Sequence, residues 1–252
     1  MAEAAPSSRL MVLMFTDIVG STDLKRKIGD ADTAKLIRRH DELFRYTVGA
    51  FPFAEILKDV GDGFLARFNS ASDAVHASLH FQRALHDEKF AHELKARVGV
   101  HLGEVSELDL EPSSGKAKIS GLAVDLTARV MGLALPGQIL MTRAAFDNAR
   151  QYVREHPTSD GETSPVVRKW MAHGRYLFKG ADEALEVFEV GEVGVAPLQV
   201  PPHSDKAKGS LPADQEETLG WRPAVGMEIP DGKNWILDRK LGEGGFGEVW
   251  LG

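Results

Sequence analysis

Glu55-Ile56-Leu57-Lys58-Asp59-Val60, then Gly61-Asp62-Gly63, then Phe64-Leu65-Ala66-Arg67-Phe68 reads as a β-hairpin: an apolar strand, a tight corner in which glycine permits positive φ, and a second apolar strand. Its tip presents the carboxylate of Asp62. A second stretch, Met11-Val12-Leu13-Met14-Phe15-Thr16-Asp17-Ile18-Val19-Gly20-Ser21-Thr22, is an apolar run that ends in a lone Asp and passes into small residues that open a helix. A strand end, a carboxylate and free helix amides together suit a metal-bound polyphosphate.

Working outward from these stretches, Leu10 to Thr16 is apolar on both faces, as a central strand would be. A helical pattern starts at Ser21, breaks at Gly29-Asp30, and resumes through Ala34, Leu36, Ile37, Leu43, Phe44 and Val48. After the hairpin, Asn69 or Ser70 caps a helix carrying Ala71, Ala74, Val75, Leu79 and Leu85. Arg97 to Val105 reads as a strand, 106–116 as a loop, Ala117 to Ser120 as a short strand and Gly121 to Leu135 as a helix stopped by Pro136-Gly137. Gln138 to Thr142 is a strand, Arg143 to Ala149 a short helix, and Tyr176 to Val190 supplies two closing strands. Alternating strands and helices with one clear hairpin predict an α/β (α+β) domain with a ferredoxin-like mixed sheet covered by helices.

The pattern divides the chain into a flexible start (1–9), one domain (10–190), a linker (191–233) that holds six of the 12 prolines, and a short apolar segment (234–252) ending in a glycine-rich motif. With 252 residues and 43% hydrophobic content the chain can bury a real core. Cysteine is absent, which excludes disulfides and thiolate metal sites and fits a reducing compartment. Any metal must use oxygen or imidazole ligands. The net charge of -7, without a long basic block, weighs against a nucleic-acid partner. The early apolar run Leu10 to Phe15 is too short for a membrane span or signal core, so the expected location is the cytoplasm.

Asp17 and Asp62 fall at the ends of what should be neighbouring strands. Hard cations want oxygen ligands, and two-metal phosphoryl chemistry holds its ions about 3.5 to 4 Å apart by shared carboxylates. Taken singly, Asp17 is as readily a helix N-cap and Asp62 a turn residue. His76 and His80 stand at i and i+4 of a helix, a zinc spacing, but a third ligand is missing and a solvated face is the simpler reading.

Four blocks carry a family resemblance: Phe15-Thr16-Asp17-Ile18-Val19-Gly20-Ser21-Thr22; Lys58-x-x-Gly61-Asp62-Gly63-Phe64; Val98-Gly99-Val100-His101-x-Gly103-Glu104-Val105; and Gly121-x-x-Val124-x-x-x-Ala128-Arg129-Val130. In order and spacing they resemble the class III adenylyl and guanylyl cyclase catalytic domain over Leu10 to Val190. The resemblance implies the class III nucleotidyl cyclase fold and conversion of a nucleoside triphosphate, ATP or GTP with cyclic AMP ahead of cyclic GMP, into a 3′,5′-cyclic nucleotide and pyrophosphate in intracellular signalling. It also implies two Mg²⁺ or Mn²⁺ ions on Asp17, Asp62 and the Ile18 carbonyl. Arg129 would stabilise transition-state charge, Lys58 would read the base and Lys179 would bind phosphate. A homodimer with sites between its chains is implied as well.

Two positions depart from the family. The second base-reading position is Lys118, which cannot accept an adenine amine proton, and the ribose-orienting Asn is replaced by Asp125, whose charge is unwelcome beside a triphosphate. The two could pair with each other. They favour a rival reading: a weak or inactive dimeric module that binds nucleotide and regulates a fused serine/threonine kinase. A polymerase palm shares the carboxylate pair but lacks a basic channel.

The rival draws on the last block, Leu241-Gly242-Glu243-Gly244-Gly245-Phe246-Gly247-Glu248-Val249 after Trp235 to Lys240. It resembles the glycine-rich loop that opens a protein kinase domain, with Gly242, Gly244, Gly247 and Val249 at the motif positions. The stretch stops short of any catalytic loop, so as given it cannot phosphorylate.

Overall fold

Strand β1 (Ser7–Ile18) runs through the middle of the sheet in a computed structural model of the chain, which describes residues 7–110, 117–154, 166–204, 207–209, 225–226, 235–244 and 247–252. Its side chains alternate between two cores: Val12 and Met14 join one buried cluster, Met11 and Leu13 another. An unbroken apolar run suits a strand with both faces covered. It is antiparallel to β3 (Gly63–Phe68) on one side and β4 (Ala96–Leu110) on the other.

The sheet continues outward with β2 (Glu55–Val60) beyond β3, and with β6 (Ile139–Thr142), β8 (Leu185–Glu192), β7 (Arg168–Phe178) and β9 (Ala207–Gly209) beyond β4. The order β2-β3-β1-β4 with antiparallel neighbours is the expected ferredoxin-like unit, and a parallel β4–β6 pair makes the sheet mixed.

Helices cover both faces. α2 (Asp30–Gly49), α3 (Ala71–Asp87) and α5 (Arg143–Arg150) pack on one, where Phe44 stacks on Phe64 at 4.4 Å and meets Phe81 edge-on at 5.1 Å. Rings buried like these contribute about 1.5–3 kcal/mol each. α4 (Leu122–Leu133) covers the other face through Ala123, Leu126, Val130 and Leu133. The predicted break falls between α1 (Ser21–Ile28) and α2, at Gly29 with φ 82. Ser70, not Asn69, caps α3: its Oγ accepts the Asp73 N–H at 3.1 Å.

Two expectations need correction. Residues 106–110 are strand rather than loop, because β1 pairs with Ser106 and Glu107 and β5 (Ala117–Ser120) pairs back from Ser106↔Ser120 to Leu110↔Ala117; residues 111–116 lie outside the described residues. The proline-rich stretch assigned to a linker from residue 191 is ordered as far as 204, and again at 207–209. Its backbone finds buried partners: Tyr176 donates to the Pro201 carbonyl at 3.2 Å, and β9 adds to the edge of β7. Most of 205–233 lies outside the described residues.

Residues 211–252 form a second compact unit. Its glycine motif lies on an antiparallel hairpin of β10 (Arg239–Gly244) and β11 (Gly247–Leu251), with Gly242 opposite Val249 and Gly244 opposite Gly247. Of the run Trp235 to Lys240 before the motif, Arg239 and Lys240 lie in β10.

Candidate active site

The β1–β3 ladder sets Asp17 opposite Gly63, and the β2–β3 loop puts Asp62 next to it. Val60↔Gly63 is the closing pair of the hairpin, so Gly61-Asp62 is a two-residue loop with Gly61 at φ 70, as a II′-class turn requires of its first residue. Gly63 serves another need: it is an ordinary strand residue, and a Cβ there would overlap the Thr16 carbonyl oxygen. Close approach of the two strands at this point brings the carboxylates together. Burial first, and then the Asp62 charge, push the Asp17 carboxyl above its ordinary range against the pull of Arg97.

Asp17 is not a helix cap. α1 is preceded by Gly20 in the left-handed region and has no side-chain cap, so no side chain from that position takes its first-turn amides. Ile18 closes β1 opposite Ala96. Among the described residues no group of three or more His, Cys, Asp or Glu side chains could hold a metal. The donors here are two carboxylates plus main-chain oxygen. That set fits a hard cation which takes its remaining ligands from water and phosphate.

Arg97 is the residue that sequence reasoning missed. Its Nε and Nη2 both donate to Asp17 Oδ2, at 3.1 and 2.6 Å, and its Nη1 donates to the Gly132 carbonyl at 3.2 Å. Register alone puts it there, Asp17↔Arg97 across β1 and β4, and nothing in the local motif announces that pairing.

A second group gathers on α4 and the turn after β7. Arg129 is 23% exposed; its Nη2 is 4.0 Å from Asp125 Oδ2, and its Nη1 is buried with no hydrogen-bond partner among the described residues. A Cβ on Gly180, at φ 80, would stand 3.4 Å from that Nη1, so the Phe178–Ala181 turn lies against the guanidinium. Lys179, in the same turn, is exposed. A buried guanidinium nitrogen without an acceptor is suited to an anion.

Lys58 is exposed on β2, just past a register shift at Ile56/Lys58, while its neighbour Asp59 is bound to Arg45 at 2.8 Å. Lys118 stands opposite Leu108 in β5, and its side chain lies outside the described residues, as does its suggested pairing with Asp125. Among the described residues, no hydrogen bond or ion pair joins Asp17 or Asp62 to Lys58 or Arg129. His76 and His80 have ring centroids 6.2 Å apart and gain no third ligand among the described residues.

The chain is similar to known cyclases in sequence and in fold. A Rhizobium meliloti (strain 1021) protein assigned as adenylate cyclase 3 is 29% identical over 157 residues, covering 61% of this chain and 25% of its own length. The adenylate cyclase of Lachancea kluyveri is 27% identical over 176 residues, 61% of this chain and 9% of its own length. The chain thus spans a quarter or less of these relatives. Among solved structures, adenylate cyclases from Trypanosoma brucei in their monomeric state share the fold at a TM-score of 0.62 and 18% identity, covering 79% of this chain and 93% of theirs. The guanylyl cyclase Cya2 shares it at 0.59 and 18%, covering 78% and 98%. Residues 4–162 match the adenylate and guanylate cyclase catalytic domain, and the chain belongs to that family.

Proposed function

We infer that the first unit of the chain makes a 3′,5′-cyclic nucleotide and pyrophosphate from a nucleoside triphosphate, ATP ahead of GTP. The observation that carries this reading is the carboxylate pair Asp17 and Asp62, brought together at a strand end beside the uncapped first turn of α1. Asp17, Asp62 and the Ile18 carbonyl would hold two Mg²⁺ or Mn²⁺ ions, which when bound supply Lewis-acid activation of the ribose 3′ hydroxyl and neutralise phosphate charge. The hydroxyl oxygen bonds to the α-phosphorus as it loses its proton, and the bond to the β-phosphate oxygen breaks to release pyrophosphate.

The chain's own groups divide the remaining work. The α1 amides and Arg97 face the phosphates, Arg129 Nη1 offers an unused donor to the charge that grows on the α-phosphate, and Lys179 adds a cation near it. Lys58 reads one edge of the base. Among the described residues neither Lys58 nor Arg129 bonds to either carboxylate within one chain, an arrangement that fits a homodimer whose sites a second copy completes. Among the described residues no helix is long and apolar enough to cross a membrane.

A second reading has an observation of its own: Asp125 holds a carboxylate against Arg129, where the family keeps an amide. On that reading the unit is a dimeric nucleotide-binding module that regulates a fused serine/threonine kinase, begun by the β10–β11 hairpin. Purified chain with ATP or GTP and Mg²⁺ or Mn²⁺ tests the two. Metal-dependent appearance of cyclic nucleotide supports the enzyme; nucleotide binding without product supports the module.

A further inference from the structure

Residues 193–204 and β9 form a strap that returns from the end of β8 and docks beside the helix and turn that hold Arg129. Glu189, fully buried on β8, is its anchor: Oε1 accepts the Leu198 N–H at 3.0 Å, and Oε2 meets Gln138 Nε2 at 2.7 Å and His173 Nε2 at 2.8 Å. Gln138 also donates to the Gln199 carbonyl at 2.7 Å. Leu198 is held at φ 50, a strained conformation for a branched side chain that persists only where the surroundings over-determine it. Farther on, β9 pairs with the last three residues of β7: Tyr176↔Gly209, Leu177↔Lys208 and Phe178↔Ala207.

The end of the strap shares a core with the catalytic helix. Ala207, 1% exposed, belongs to the buried cluster of Tyr176, Phe178, Leu126 and Val130, with Ala181 packed against it. Leu126 and Val130 flank Arg129 on α4, and Phe178 and Ala181 bracket the Lys179-Gly180 turn that lies against its guanidinium. A three-residue strand is a weak zipper, the kind of local unit that opens well before the domain unfolds.

We propose that this strap is a control element: docked, β9 holds the Phe178–Ala181 turn and α4 so that Arg129 meets the transition state, and released, it slows cyclisation more than it weakens nucleotide binding. The strap is also the stretch of chain that leads toward residues 211–252. The plainer alternative is an edge cover that shields β7 and nothing more. The inference rests on the cyclase reading for its effect on rate, whereas its mechanical part is read by hydrogen exchange.

The full chain contains no cysteine, so Leu177→Cys with Lys208→Cys, which face each other across the two strands, gives a staple that oxidation closes and reduction opens in one protein. Ala207→Asp puts a charge into the shared core and expels the strap. In Ala207→Asp, amides 179–181 should exchange faster and kcat should fall about tenfold with KM within about twofold, since Arg129 acts on the transition state. Oxidising the cysteine pair should slow exchange at 179–181 relative to its reduced form, a comparison that holds even where Ala207→Asp does not fold. If the strap opens while exchange at 179–181 and kcat stay at parental values, the edge cover is correct and the control element is overturned. If no variant, parent included, makes cyclic nucleotide, the cyclase reading fails. Exchange then decides alone: coupled opening supports the strap's grip on the turn, and independent opening refutes it.

Discussion

Arg97 Nη2 stands 2.6 Å from Asp17 Oδ2 while Nη1 of the same guanidinium reaches the Gly132 carbonyl, so one side chain ties the carboxylate at the end of β1 to the last turn of α4. The contact sets the electrostatics of the site. Burial and Asp62 work against an ionised Asp17, and Arg97 is the cation that opposes them. Arg97→Gln keeps an amide donor and removes the charge. A charge-assisted hydrogen bond contributes about 1.5–3 kcal/mol, so kcat/KM at saturating metal should fall at least about tenfold. Steady-state kinetics on the two proteins decide it, and an unchanged kcat/KM would make Arg97 a purely structural tie.

Asp17 is held in the fold at a cost, because its carboxyl is raised above the ordinary value. A carboxylate whose folded pKa lies above the unfolded one destabilises the fold at neutral pH, and that cost is relieved as pH falls. Asp17→Asn should therefore melt no lower than the parent chain, yet lose essentially all metal-dependent turnover. Thermal melts beside cyclic-nucleotide assays check both halves. Normal cyclisation by Asp17→Asn would remove the carboxylate from the metal site.

The two departures from the family make a separate prediction. Asp125 approaches Arg129 at 4.0 Å and is 67% exposed, so on the proposed cyclase reading it competes for the cation that would meet the transition state. Lys118→Asp with Asp125→Asn restores an acceptor for the adenine amine and an amide for the ribose, and ATP cyclisation should rise above the parent. Asp125→Asn alone should give part of that gain by freeing Arg129. A double variant that binds ATP and turns it over no faster places the limitation elsewhere.

Much of this architecture is legible in sequence because it follows from local patterns. The two-faced apolar run of β1, the Gly61-Asp62 corner and the break at Gly29 each have a short-range cause, and each predicts its element. What escaped depends on partners far away in the chain. Residues 106–110 become strand because β1 reaches as far as Glu107 and β5 returns to them; the strap has no periodicity and is ordered by Glu189, Gln138 and Tyr176. Arg97 reads as one more strand residue until register lays it across from Asp17. The different roles of Gly61 and Gly63, positive φ in one and strand contact in the other, are likewise invisible in a Gly-Asp-Gly triplet.

His101 gives the fold an acid limit. It is buried on β4 with Nδ1 2.8 Å from Thr142 Oγ1, and burial pushes its pKa down to about 4 from an ordinary 6.5. The fold thus holds the neutral ring: its stability is complete above the unfolded value and is lost as pH falls from 6.5 toward about 4, by about 3 kcal/mol in all. His101→Gln keeps a polar partner for Thr142 and cannot titrate. Denaturant midpoints at about pH 7.5 and about pH 5 should drop more in the parent than in the variant. Equal drops would assign the acid sensitivity to other groups.

Lys58 and Asp62 share one hairpin, yet only Asp62 stands with Asp17, while Lys58 is exposed on β2 and Arg129 is gathered with a different turn. If each site is completed across a dimer, carboxylates from one chain meet the lysine and arginine of the other, and the hairpin serves two sites at once. Asp17→Ala and Arg129→Ala chains should then each be inactive alone. Mixed dimers hold one site in which both mutated positions are intact and one in which both are lost. Random pairing of equal amounts makes about half the dimers mixed, each with one of two sites whole, so about a quarter of parental activity should return. Cyclic nucleotide is measured from each variant and from the mixture after subunit exchange, with mixed dimers verified by a size tag on one chain. Activity that stays absent although mixed dimers are present would put every group of the site within a single chain, with Arg129 acting on the nucleotide held by its own Asp17 and Asp62.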